Sequence, residues 1–275
     1  MTLGISTYAY LWRTSPRQDR PMTLEDVFDD AVRLGLELVQ VCDWPPLDAM
    51  DDAALASVRA AADERGLALE TGTRGVEPDH LRRHLQVAAT LGARLVRSMA
   101  GTPSHPPDVA AARAALREVA PEFESAGVAL ALETYEQIPT GDLVALVDEV
   151  ASPSVGICLD PGNVVGAFEH PGHVIDLAAP RTLNVHVKDF SFARNPDMIG
   201  FRLTGAPLGE GRLELDHLLA AVRPAERGVN LVIEQWCPWQ EDARATGDLE
   251  ARWCERSVRV LTEPERRRTW ERRRG

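Results

Sequence analysis

The sequence is poor in cysteine and in positive charge, and it has no long apolar run. Its four cysteines, Cys42, Cys158, Cys237 and Cys254, are widely scattered and form no CxxC pair. That spacing excludes a close cysteine metal pair, and it reads as free thiols in a reducing compartment. Lys and Arg number 30 against 42 Asp and Glu, a formal net charge of −12. Phosphate binding rests on Lys and Arg, so a nucleic-acid partner is not expected. No apolar stretch approaches the roughly 18 residues that span a bilayer. The opening Met1-Thr-Leu-Gly-Ile-Ser6 has no basic segment followed by an apolar core, so no secretory signal and no membrane partner are expected. A soluble cytoplasmic protein is the default. Glycine is also missing between Ser6 and Arg17, where a dinucleotide-binding Gly-x-Gly-x-x-Gly turn would follow a first strand. With no tandem repeat and no low-complexity linker, one domain is the reading for these 275 residues.

What is present centres on Arg181-Thr-Leu-Asn-Val-His-Val-Lys-Asp189. Leu183, Val185 and Val187 alternate with Asn184, His186 and Lys188, so on a strand an amide, an imidazole and an ammonium share one face. Around it the chain alternates short Val-, Leu- and Ile-rich segments with helix-length ones. Strands are expected at 3–8, 37–42, 67–71, 93–99, 128–133, 155–160, 182–188 and 230–235. Helices are expected at 23–34, 51–65, 79–91, 107–126, 142–150, 173–179, 215–222 and 249–261. Thr23 with Asp26 three residues on suits an N-cap, and Gly35, Gly66 and Gly127 suit helix ends. Eight βα units in an apolar fraction of 44% predict an α/β fold, a closed (β/α)8 TIM barrel over residues 1–262. The Arg-rich stretch in 263–275 reads as a solvated tail, or as a contact with an acidic partner or another subunit.

Active sites of such barrels lie at the C-terminal ends of the strands. Those ends carry Tyr8, Asp43 and Trp44, Glu70, Arg97 and Ser98, then Glu133, Asp160, His186 and Glu234. The last four each end or cap an apolar run: Ala-Leu-Ala-Leu-Glu133, Gly-Ile-Cys-Leu-Asp160, Leu-Asn-Val-His186 and Leu-Val-Ile-Glu234. Three carboxylates buried together are costly without compensation. A single divalent cation compensates them, and three carboxylates with one imidazole suit Mn²⁺, Mg²⁺ or Co²⁺, with Zn²⁺ also compatible. The plain alternative for any one of them is a rim salt bridge or a helix cap.

The succession Ala-Leu-Glu133, Cys-Leu-Asp160-Pro-Gly-Asn163, Val-His186-Val-Lys188-Asp189 and Ile-Glu234 resembles the sugar-phosphate isomerase/epimerase superfamily, the xylose-isomerase-like TIM barrels. The resemblance covers nearly the whole chain and is strongest from Val128 to Trp236. It implies that Glu133, Asp160, His186 and Glu234 bind the metal and that Glu133 and Glu234 double as acid/base groups. It implies sugar isomerisation or epimerisation of a ketose, an inosose or a related keto-sugar, through an enediolate that the ion stabilises. Members of the superfamily are often oligomers, so a homo-oligomer is an open expectation. Asn163 and Asn184 stand where relatives carry histidines, which leaves the substrate oxygen contact unassigned.

Other candidates for the substrate are weaker. Lys188 could meet a carboxylate, a phosphate or an oxyanion, or simply pair with Asp189 or Glu210 at the rim. Glu136 could touch a sugar hydroxyl or be a solvated loop acid. The connection from Phe190 to Arg212 is long and glycine-bearing, as lids are, and Arg194 and Arg202 could bring positive charge from it. Tyr8, Trp236, Trp12 and Trp239 could line a sugar pocket or merely pack. The stretch Ile199 to Leu213 resembles barrel proteins of sugar-acid catabolism, including 3-oxo-isoapionate decarboxylases. That makes a lyase, acting on an oxo-sugar acid by decarboxylation or dehydration, the second reading. An apurinic-site endonuclease of the same superfamily ranks third, because only His186 matches its histidine-rich zinc cluster and the chain is acidic. A sugar-binding or scaffolding barrel without activity comes last.

Overall fold

Eight short parallel strands close on themselves. They are β1 (Leu3–Ser6), β2 (Leu38–Val41), β3 (Ala68–Gly72), β4 (Leu95–Ser98), β5 (Ala129–Glu133), β6 (Val155–Leu159), β7 (Thr182–Val187) and, last in the ring, Asn230–Ile233. The computed structural model describes residues 1–101 and 107–264. The last ring strand becomes β10, because a two-stranded antiparallel hairpin, β8 (Phe190–Arg194) and β9 (Phe201–Gly205), precedes it in the chain. Around the ring the order is β1-β10-β7-β6-β5-β4-β3-β2. This is the expected single (β/α)8 barrel.

The strands run nearly unbroken in apolar residues because both faces are buried, one against helices and one in the barrel. Leu130, Leu132, Ile157, Leu159, Val185, Val187, Leu231 and Ile233 all belong to one core and are essentially inaccessible. The surrounding helices are α1 (Leu24–Arg33), α2 (Pro45–Ala49), α3 (Asp52–Asp63), α4 (Pro78–Leu91), α5 (Val109–Ala126), α6 (Thr140–Val150), α7 (Pro171–Ala178), α8 (Leu215–Val222), α9 (Pro224–Arg227) and α10 (Ala243–Thr262). Thr23 caps α1 as expected: its hydroxyl accepts from Asp26 N, and Asp26 Oδ2 accepts from Thr23 N at 2.8 Å.

Three features depart from the pattern read in the sequence. Short helices α2 and α9 start at prolines, where only a single turn forms. Helix α10 starts at Ala243, six residues earlier than expected. Asp242 caps it by accepting from Ala245 N at 2.7 Å, and the small Thr246 and Gly247 are buried on its inner face. The connection after β7 is an ordered hairpin. Phe192 on β8 stacks on Phe201 of β9 at 5.3 Å between ring centroids.

The hairpin base is organised by Asp189. Its carboxylate accepts from the backbone N–H groups of Phe190, Gly209, Gly211 and Leu213 at 2.8 to 3.0 Å. Gly211 is obligatory there, since a Cβ would lie 2.1 Å from Asp189 Oδ1. The Arg-rich tail lies outside the described residues beyond Pro264.

Candidate active site and metal centre

His186 in β7 is wholly buried, and its two ring nitrogens have different surroundings. Nε2 lies 2.8 Å from Gln40 Oε1 on β2. The Gln40 amide nitrogen donates to Glu70 Oε2 at 2.9 Å and to Asn184 Oδ1 at 3.1 Å. A carboxylate partner fixes which end of the amide is nitrogen, so Gln40 Oε1 accepts and His186 Nε2 carries the proton. Nδ1 is the nitrogen turned towards the carboxylates. It faces Glu133 Oε1 at 3.5 Å, Asp160 Oδ2 at 3.7 Å and Glu234 Oε1 at 3.4 Å. Although burial alone would lower the imidazole pKa, the charges around it raise it well above its usual value.

Strand geometry brings these four together. Glu133 ends β5, Asp160 follows β6, and Glu234 follows β10, so all sit on the same rim as His186. One donor atom from each lies within 4.8 Å of the others, and all four residues are buried. Among the described residues, His186 Nδ1 and Glu234 Oε1 have no hydrogen-bond partner. Ligands at about 2.1 Å from an octahedral ion stand about 3 Å apart when adjacent and about 4.2 Å when opposite. The separations to Nδ1 fall inside that range, and the widest spacing needs only a small contraction. The donor set therefore fits a divalent cation, which these four residues could hold.

Two cations already sit against the cluster. Lys188 Nζ approaches Asp160 Oδ2 at 2.7 Å and Glu234 Oε2 at 3.3 Å, and it donates to Asn163 Oδ1 at 2.9 Å. Arg97 Nε lies 2.9 Å from Glu133 Oε2. Burial alone would raise the pKa of Glu133, but Arg97, His186 and Lys188 hold it well below the usual carboxylate range. Burial would likewise lower Lys188, and Asp160, Glu234 and Glu133 instead raise it. The buried thiols are inert: burial pushes Cys158 up to about 11 and Cys254 up to about 12.

A cavity opens above the cluster. Tyr8, Asn163, Lys188 and Trp236 line it with Glu133 and Glu234, so these candidates are brought together. Trp236 lies under the ammonium, 4.3 Å from ring centroid to Lys188 Nζ. Asn163 Nδ2 donates to Glu133 Oε1 at 2.7 Å. Other candidates lie elsewhere. Glu136 is exposed and does not line the cavity. Arg194 and Arg202 are exposed on the hairpin, where Arg194 lies over the Phe201 ring at 4.5 Å and reaches back to Met198 O. The hairpin holds its own side chains against one another, so neither arginine enters the cavity. The alternative pairings for Lys188 do not form either. Asp189 is taken up by backbone N–H groups, and Glu210 pairs with Arg256 at 3.0 Å. Trp12 and Trp239 meet edge to face at 5.1 Å away from the cavity.

The sequence reading passed over Gln40, Arg74 and Tyr135. Gln40 was legible only as a lone amide inside Leu-Val-Gln-Val-Cys. Arg74 and Tyr135 each stand two residues past a strand end, where loops decide direction. Both line the cavity, with Asp43 and Arg97.

A family model described as "Xylose isomerase-like TIM barrel" matches residues 28–257. The chain belongs to this family. A 3-oxo-isoapionate decarboxylase from Pectobacterium atrosepticum is 44% identical over 261 residues, covering 95% of each chain. The uncharacterised protein YihM of Escherichia coli is 25% identical over 73% of this chain and 63% of its own. Among solved structures, a D-psicose 3-epimerase with D-fructose superposes with TM-score 0.69 at 18% identity, over 95% of this chain and 99% of the other. A Mycobacterium smegmatis barrel of the family, in complex with magnesium, gives 0.67 at 20% identity, over 95% and 98%. These two likenesses establish the fold alone. No helix among the described residues is long and apolar enough to cross a membrane.

Proposed function

We propose that this protein is a divalent-metal-dependent lyase that decarboxylates a 3-oxo sugar acid to a ketose. The observation that carries the proposal is the lock on Glu133. Epimerisation needs a carboxylate basic enough to take a proton from carbon, with a second acid/base group opposite. Glu133 is pinned by Arg97 at 2.9 Å from one oxygen and by Asn163 at 2.7 Å from the other, so neither oxygen is free to turn to a carbon-bound proton. Decarboxylation needs no such base, because departure of CO₂ itself leaves the electron pair. The decarboxylase relative at 44% identity supports the same reading.

Glu133, Asp160, His186 and Glu234 would hold the ion. A divalent ion, Mn²⁺, Mg²⁺ or Co²⁺ by its donor set, supplies an electron sink for the keto oxygen. The bond between the carboxylate carbon and its neighbour breaks, and the pair moves into the enediolate. Lys188, kept protonated by Asp160 and Glu234, lies where negative charge develops. The proton that replaces CO₂ comes from solvent, and Glu234 is the cavity carboxylate left to pass it on. Trp236 and Tyr8 line the cavity beside Lys188 and Glu234. The substrate is thus a small sugar acid.

Isomerisation or epimerisation of a neutral ketose is the second reading. It is favoured by one fact: Glu133 and Glu234 both face the cavity, from strands separated by β6 and β7 around the ring. Product analysis separates the two. With 3-oxo-isoapionate and Mn²⁺, the protein is expected to release one CO₂ per ketose formed, detected by ¹³C NMR. A ketose alone is expected not to be converted into an epimer or isomer. Conversion of a ketose into its epimer or isomer, with no CO₂ from the oxo acid, would replace the proposal with the epimerase reading.

A further inference from the structure

The geometry points to Arg74 as the residue that binds the carboxylate of the substrate, an inference that rests on the proposed decarboxylation. Three cationic side chains line the cavity: Arg74, Arg97 and Lys188. Two are already committed. Arg97 spends Nε on Glu133, Nη1 on the Thr73 carbonyl at 3.1 Å and Nη2 on Asp43 at 3.2 Å. Lys188 directs its ammonium at Asp160, Glu234 and Asn163. Arg74 uses only Nε, on Asp43 Oδ1 at 2.7 Å. Among the described residues its two terminal nitrogens meet no hydrogen-bond acceptor, and its side chain stays about one-third exposed at the cavity wall. A carboxylate entering the cavity therefore finds one guanidinium edge with donors to spare, and two parallel N–H groups match its two oxygens.

The edge is held in place beforehand. On one side of Arg74, Thr73 N donates to Arg97 O at 2.8 Å; on the other, Gly75 N donates to Met99 O at 3.0 Å. Both ties fix the loop to the end of β4. Gly75 has φ +103°, a backbone conformation that a side chain would strain. Asp43, which aims Arg74, itself stands at φ +49°, in the left-handed region that a non-glycine residue adopts only when its surroundings hold it there. Its carboxylate is bracketed by both arginines, so the strained turn after β2 and the loop after β3 orient one guanidinium.

Carboxylate recognition at Arg74 also keeps that group off the metal ligands, on which it would compete with the keto and hydroxyl oxygens. The contact is lost as CO₂ departs. It therefore contributes to capture of the acid and little to the chemical step.

The test compares wild type, Arg74→Met and Arg74→Lys, each loaded with Mn²⁺, using 3-oxo-isoapionate as substrate and the neutral ketose left after CO₂ loss as an inhibitor. Arg74→Met is expected to raise KM for the acid roughly 10- to 100-fold, the scale of a charge-assisted contact, with kcat moving less than about threefold. Arg74→Lys is expected to recover part of the loss, since it restores charge but not the fork. The inhibition constant of the ketose is expected to change less than about twofold in both. An unchanged KM in Arg74→Met, beside a wild type that decarboxylates, overturns the inference and leaves the proposed function standing. Equal weakening of acid and ketose overturns it too, because that marks a packing role. A wild type that releases no CO₂ from the acid removes the proposed reaction, and the inference with it.

Discussion

At the residue scale, one proton decides whether the centre can take a metal. His186 presents Nδ1 because Gln40 accepts from Nε2, and Gln40 is turned by Glu70, which also accepts from Asn184 at 3.0 Å and from Asn230 at 2.7 Å. Burial raises the pKa of Glu70, and the amides around it oppose that rise. Groups behind a metal-bound histidine commonly set affinity by about 10- to 100-fold. Glu70→Gln is expected to weaken Co²⁺ binding by that factor, read from the visible absorption of the Co²⁺ protein; equal affinity would show that Gln40 holds its orientation unaided. Asp160→Asn removes a ligand outright. Wild type purified without chelator is expected to carry about one divalent ion per chain and the variant less than a tenth of that, by plasma mass spectrometry. An ion-free wild type, offered Mn²⁺, Mg²⁺, Co²⁺ and Zn²⁺, would end the metal reading.

At the scale of elements, the eight strands were legible because short Val-, Leu- and Ile-rich runs alternate with helix-length segments. The four donors were legible because each stands at the end of a run such as Ala-Leu-Ala-Leu-Glu133. The hairpin was not legible. Phe190 to Arg212 reads as a glycine-bearing loop, and its order comes from Asp189, whose partners lie 20 to 24 residues downstream. Arg74 escaped notice similarly, since Asp43 is 31 residues away. Asp189→Ala is expected to loosen the hairpin before the barrel, so hydrogen exchange should rise across 190–213 while β5 and β6 stay protected. Helix α4 makes a separate prediction. His84 is buried, shares Thr73 Oγ1 with His80, and is lowered to about 4 by burial and by His80. The unfolded chain binds that proton near pH 6.5, so stability is full above this pH and falls as pH drops towards 4. The loss is at most roughly 3 kcal/mol, at about 1.4 kcal/mol per pH unit. Urea unfolding between pH 7.5 and 4.5 is expected to show it, and His84→Gln to flatten it; parallel curves would place the acid limb elsewhere.

At the scale of the whole molecule, a barrel with an acidic surface encloses a centre where charges of both signs are buried together. Anything that binds the folded chain alone stabilises it, by about 2.7 kcal/mol at a hundred times its Kd. The melting temperature is therefore expected to rise with added Mn²⁺ and to fall in chelator, and Asp160→Asn to be indifferent to both. Lys188 sets how far the chelated form falls. Its ammonium rests on Asp160 and Glu234, which would otherwise repel each other in the dry interior, so the barrel carries an internal counter-ion of its own. A newly synthesised chain can then close its barrel before any metal arrives.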